Sequence, residues 1–172
     1  MTSSPESPAA RLCAACGLCC NGTLFTIVQL QPSDSPKRLA ALGLKLTHKK
    51  KRHFFQQPCP MFRDSQCAIY ADRPERCRLF ECRQLQQVES GQITEDTALA
   101  TIQDARRRVD QVRALFEQIG ENNHKRPLTR RYESVMQTPL DPAAGPEVAN
   151  RRNQLTLAMR ELRERLQKDF RV

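Results

Sequence analysis

The sequence predicts an α+β protein: a small, irregular, cysteine-rich domain with a C-terminal helical hairpin. Three observations lead there. All eight cysteines of the 172-residue chain, Cys13, Cys16, Cys19, Cys20, Cys59, Cys67, Cys77 and Cys82, fall between positions 13 and 82, so the two halves differ chemically. The first half holds two short strand-like runs, "TLFTIVQL" at 23–30 and "KRHFF" at 51–55. The second holds two long stretches whose apolar residues recur every three or four positions.

Taken in order, residues 1–10 are rich in Ser and Pro and are expected to be a disordered tail. A cysteine-rich loop follows, then the first strand. Pro32 and Asp34 mark a turn into a short helix, "SPKRLAALG", closed by Gly43. After the second strand comes the "PCP" corner at 58–60. "YADRPERCRLFEC" reads as a helix start with Asp72 as cap, Pro74 in the first turn and Glu75 completing a box-like spacing. Cys77 would then sit on that helix, with Cys82 near its end. Gly91 breaks the chain, and Thr94, Glu95 and Asp96 open a helix to about Ile119 with its seam at Ile102, Ala105, Val109, Val112, Phe116 and Ile119. A Pro/Gly-rich linker at about 137–147 leads to a last helix, about 147–168, with Leu155, Met159, Leu162 and Leu166 at the same spacing. The expected domains are therefore 11–90, cysteine-rich, and 91–172, helical.

Hydrophobic residues make up 39% of the chain, aromatics 5%, and tryptophan is absent, so apolar burial alone is thin for the first half. Cross-links must help. "MTSSPESPAARL" lacks the basic and apolar regions of a secretion signal, and no window approaches the roughly eighteen apolar residues of a membrane span. The expectation is a cytoplasmic protein, and in a reducing cytosol clustered thiols act as metal ligands rather than disulfides. The formal charge of +9 invites a nucleic-acid reading, yet eight thiolates around two Zn²⁺ would change it by −8 and +4, to +5.

A Cys-x2-Cys pair brings two sulfurs together on one turn, which suits a tetrahedral ion or two corners of a cluster. Cys13-x2-Cys16-x2-Cys19 repeats the interval with which bacterial ferredoxins wrap a [4Fe–4S] cluster, and Cys59 is followed by proline as their fourth cysteine often is. That slightly favours iron–sulfur. Zinc remains the alternative, since eight cysteines divide into two sites of four, and spacing assigns neither the metal nor which cysteines share a site. The Cys-x3-Cys-x2-Cys triplet of radical S-adenosylmethionine enzymes is absent, because Thr23 stands where its third cysteine would be.

"KLTHKKKRHFF", 45–55, clusters Lys45, Lys49, Lys50, Lys51 and Arg52 with His48, His53, Phe54 and Phe55. The more common reading of such a run is a solvated hairpin with its phenylalanines toward the core. The second is a nucleic-acid patch in which lysines meet phosphates and a phenylalanine stacks on a base. His48 and His53 are also possible zinc ligands, although eight thiols already suffice.

"CAACGLCC" at 13–20, "PCPMF" at 58–62 and "CAIYADRPERCRLFEC" at 67–82 together resemble the CxxCxxCC zinc- or iron-chelating domain, the YkgJ-type cysteine-cluster family, over about residues 11–85. The resemblance implies that all eight cysteines are metal ligands. It also matches Ile69, Tyr70, Arg73, Pro74, Arg78 and Phe80 to non-ligand positions of the family. Ile69, Tyr70 and Phe80 are expected to shield the site, and Arg76 and Arg78 to offset thiolate charge. Flagellin lysine N-methylases belong to the same group, so a methylase-like enzyme is the alternative function. Residues 86–172 contain no glycine-rich nucleotide loop, and a non-enzymatic metal-binding protein is the expectation. Its partner would be another protein or, less favoured, nucleic acid, and no membrane; the sequence leaves the oligomeric state open.

Overall fold

The computed structural model describes residues 7–140 and 145–171. Helices and two small antiparallel sheets make it an α+β protein. The chain divides into two compact units, one comprising the residues up to Glu81 with Lys125–Pro127, the other Cys82–His124 with the residues from Leu128 onward.

In the first unit, α1 (Pro8–Cys16) starts at Ser7, whose hydroxyl accepts from the Ala10 amide at 3.2 Å, and places Pro8 where its missing N–H is harmless. Residues 8–10, expected in a disordered tail, thus form the first turn of a helix; residues 1–6 lie outside the described residues. The helix ends on Gly17 at φ +65°. There a Cβ would lie 2.5 Å from Cζ of Phe62, so both the backbone and the close approach demand glycine.

β1 (Ile27–Gln29) is followed by α2 (Pro36–Ala41), capped by the Ser35 hydroxyl and turned out by Gly43 as its sequence suggests. β2 (Leu46–Lys49) and β3 (Arg52–Gln56) form a hairpin, and the sheet order is β1-β3-β2, all antiparallel. The register pairs Val28 and Leu46 with Phe55, and Gln29 and Thr47 with Phe54. Because side chains alternate across a strand, Phe55 faces inward and Phe54 outward. Leu30, Leu39, Leu44, Phe55 and Met61 form the buried core, with Val28, Leu46, Ile69, Cys59 and Cys77 packed against it. A second hairpin, β4 (Phe62–Arg63) and β5 (Gln66–Cys67), sets Phe62 opposite Cys67.

The expected helix from Asp72 toward Cys82 is broken. Asp72 ends a 3₁₀ turn, Tyr70–Asp72, and α3 covers only Glu75–Leu79. The reason is Pro74, which holds Arg73 extended at φ −56°, ψ 141° and so prevents a helix from starting at Asp72. The cap comes from a distant residue instead: Asp34 accepts from the Glu75 amide at 2.9 Å through one oxygen and from the Gln31 amide at 2.8 Å through the other. Phe80 is extended and ends α3, so Cys82 lies beyond it and immediately precedes α4 (Arg83–Glu89).

The second unit begins at Cys82, just ahead of α4. The physical cause is that α4 packs on the next helix and is tied to the chain's far end, Gln84 donating to the Asp169 carbonyl at 2.8 Å. α5 (Glu95–Ile119) starts on Thr94, whose hydroxyl accepts from the Thr97 amide, and ends on left-handed Gly120. α7 (Pro146–Asp169) runs back along it. Every residue of the two sequence-read seams is buried except Ile119, which is half-buried. Asp104 links the pair through Arg108 at 3.0 Å on its own helix and Arg165 at 3.4 Å on α7.

Between them the expected two-helix hairpin gains a third member, α6 (Leu128–Gln137). Its buried positions are Leu128, Arg131 and Val135. Arg131 is 2% exposed, lies over the Phe116 ring at 4.4 Å, and donates to the Glu121 carboxylate at 3.3 Å and carbonyl at 2.6 Å. A cation on the buried face interrupts the apolar period that reveals helices in a sequence. Most of the linker's centre, 141–144, lies outside the described residues. Among the described residues no helix is long and apolar enough to cross a membrane.

Candidate metal centre

The eight cysteines, all among the described residues, form no disulfide. Cys13 and Cys16 lie on α1, one turn apart, and Cys13 is exposed; only Cys19 and Cys20 occupy the loop beyond Gly17. That loop is tight. The amides of Cys20 and Asn21 donate to the Gly17 carbonyl at 3.0 and 2.9 Å, which turns the chain at once after the helix.

Three backbone links then assemble cysteines from distant segments. The Cys59 amide donates to the Cys20 carbonyl at 2.8 Å, and the Phe62 amide to the Cys59 carbonyl at 3.0 Å. Phe62 in turn pairs with Cys67 across the second hairpin. Cys77, on α3, packs on the same apolar core as Cys59. The rings and aliphatic groups around these residues keep the thiols half-buried.

The electrostatics follow from that placement. The Cys20 thiol is pushed up to about 12, first by burial and then by Cys59, Cys77, Cys67 and Cys13. Cys77 is also pushed up to about 12, by burial and then by Cys59 and Cys67, with Arg73 pulling the other way and Asp34 adding to the rise. Burial raises Cys59, opposed by the amides of Met61 and Phe62. Cys20 and Cys77 each sense Cys59 and Cys67, and Cys59 senses Cys67, so these thiols lie in one region. In the second unit Cys82 is raised by burial, and the amides of Leu85 and Gln84 at the start of α4 oppose it.

Among the described residues no three His, Cys, Asp or Glu side chains are closed to metal-ligating geometry. The donor chemistry nevertheless fits a soft or borderline cation: the thiols of Cys59 and Cys67 bear on both Cys20 and Cys77, and Asp34, the carboxylate that bears on Cys77, is engaged by two amides. Like-charged sulfurs repel until a cation compensates them.

The neighbours differ in part from the sequence reading. Ile69 does pack beside Cys59 and Cys77, and Phe80 is half-buried edge-to-face on Phe25, 5.0 Å between centroids. Tyr70, expected as a shield, is 47% exposed, and one face of its ring is covered by the Arg73 guanidinium at 3.6 Å rather than by the site. Arg76 and Arg78 point to solvent. The arginine that acts on Cys77 is Arg73, fixed by that ring and by donation to the Tyr70 carbonyl at 2.9 Å. Arg73 was legible only as a motif position, and the role of Asp34 as distant cap had no sequence signal beyond its turn. His48 and His53 stack on each other at 4.5 Å on the β2–β3 hairpin.

No curated protein and no solved structure matches the chain. A family model described as "CxxCxxCC: Putative zinc- or iron-chelating domain" matches residues 12–103, more than half the chain and every cysteine. Clustered thiols on a shared region and that match agree: this chain belongs to the CxxCxxCC family of zinc- or iron-chelating domains.

Proposed function

We propose that the protein is a metal-binding module whose first unit is organised by one all-thiolate centre, with Cys20, Cys59, Cys67 and Cys77 as its ligands. What supports this is that the Cys20–Cys59–Phe62–Cys67 backbone links tie the segments carrying three of these residues and that Cys59 and Cys77 pack on one core. Cys13, Cys16 and Cys19 flank the set and Cys82 lies in the other unit, so these four are reserve or second-site ligands.

Zinc is the ion this set suits best. The case for a [4Fe–4S] cluster rested on the repeated interval of Cys13, Cys16 and Cys19 and on the proline after Cys59; two of the three spaced cysteines lie on a helix. Four thiolates drawn from separate segments make a closed site, in which zinc supplies folding free energy. Metal and acid-labile sulfide content, with a visible spectrum, on protein purified without oxygen tests this. Colourless protein with one or two zinc ions per chain is expected. Brown protein with iron and sulfide in near-equal amounts would overturn zinc in favour of the cluster, and protein with neither metal would overturn the centre itself.

A further inference from the structure

The outer face of the three-stranded sheet has a chemistry of its own. Phe54 and Gln29 pair across β3 and β1 on that face, Ile27 lies beside them 49% exposed, and Arg52 and Lys49 pair at its end. With Lys50 they line an open groove of about 360 Å³. Phe55 and Val28, on the opposite face, are the ones that pack toward Cys59 and Cys77. The groove therefore has an aromatic and aliphatic floor and a cationic rim. Residues 45–56 include Lys45, Lys49, Lys50, Lys51 and Arg52 and no acidic residue.

The turn that carries the rim is unusual. Lys50 and Lys51 have φ of +49° and +60°, the pattern of a two-residue hairpin turn that favours Asn-Gly, and neither lysine is suited to it. Strained backbone of this kind is retained where function needs the side chains. Here it puts two adjacent ammonium groups at the hairpin tip.

We infer that this face binds single-stranded nucleic acid, with a base stacked on Phe54 and phosphates held by Lys49, Lys50, Lys51 and Arg52. A duplex would meet the cations but hides its base faces, so it leaves the apolar floor unused. An acidic peptide matches the rim and offers no planar group for Phe54. Single strands offer both at once. This reading is independent of the metal centre, which lies toward the other face of the sheet.

The test is fluorescence anisotropy of labelled 12-nucleotide oligo(dT) and oligo(U), a 12-base-pair duplex and polyglutamate, with full-length protein at its purified metal content. Either single strand is expected to bind at least about tenfold tighter than the duplex, with log K falling against log salt at a slope of about −3 for four cations. Phe54→Leu is expected to weaken binding about tenfold with an unchanged slope. The double variant Lys50→Asn, Lys51→Gly is expected to flatten the slope by about 1.4 while melting no lower than the parent, because Asn-Gly suits the turn. Metal content assayed on each variant separates a damaged first unit from a lost contact. No binding at 50 mM salt, binding indifferent to Phe54, or polyglutamate competing equally would each overturn the inference, the last in favour of an acidic protein surface.

Discussion

Gly17 does two things at once: it ends α1 in the left-handed region and leaves room for the Phe62 ring, which is joined by backbone to Cys59 and paired with Cys67. Gly17→Ala is expected to cost about 1–3 kcal/mol in urea unfolding of the first unit and to lower metal retention against a chelator, since the displaced ring disturbs two thiols. Arg73→Gln removes the cation beside Cys77. Its metal affinity by chelator competition should fall on the order of tenfold, whereas Arg76→Gln, which alters an exposed side chain, should leave it unchanged. The thiols themselves give a pH dependence. In metal-free protein, Cys20 and Cys77 stand near 12 against an ordinary value of 9.0, so the folded state holds these protons more tightly than the unfolded. A group raised on folding stabilises fully below its unfolded value and loses that contribution as pH climbs through its folded one. The urea midpoint of metal-free protein should therefore hold steady below pH 9 and decline from there toward 12; a midpoint that rises over that interval would contradict the buried placement of these thiols.

At the level of elements, the long helices were the most legible. Their apolar residues keep a three-to-four period over many turns, and Thr94 and Gly120 cap α5 as their types suggest. Three features were not. α6 hides its period behind Arg131, α3 takes its cap from Asp34 across forty-one positions, and the two hairpin turns, Lys50–Lys51 and Asp64–Ser65, lack the glycine that announces such turns. Each depends on a contact or backbone state that local sequence does not encode. Likewise the cysteine motifs identified the family, but which thiols lie near one another depended on the fold between them. Arg131→Met is expected to destabilise the helical unit by about 3 kcal/mol in urea, because it strands the Glu121 carboxylate beside a buried site. Asp104→Asn, among half-exposed arginines, should cost less than about 1 kcal/mol by the same measurement.

On the scale of the molecule, the two units rest on different forces. The helical unit buries Ile102, Val109, Val112, Phe116, Leu155, Met159, Leu162 and Phe170 in one aliphatic and aromatic seam, enough to fold on hydrophobic burial. The first unit has a small core and places thiols against it. Stripping the metal under reducing conditions should therefore leave most of the helical circular dichroism in place, while amide exchange accelerates in β1, β3 and the Cys59–Cys67 segment. Uniform loss of helix and sheet would show that the units unfold as one.

The first unit also borrows Lys125–Pro127 from far along the chain, and Pro127 lies against Gly22, where a Cβ would come within 3.1 Å of its Cα. During synthesis that segment emerges more than forty residues after Glu81. At 5–20 residues per second the delay is roughly 2–9 s. The thiols are accordingly expected to spend their first seconds in an unfinished unit, accessible to a metal donor before Pro127 reaches Gly22. Alkylation of Cys20 and Cys77 on ribosome-held chains of increasing length should fall only once residue 127 has left the exit tunnel. Protection at shorter lengths would mean that the unit closes without its borrowed segment.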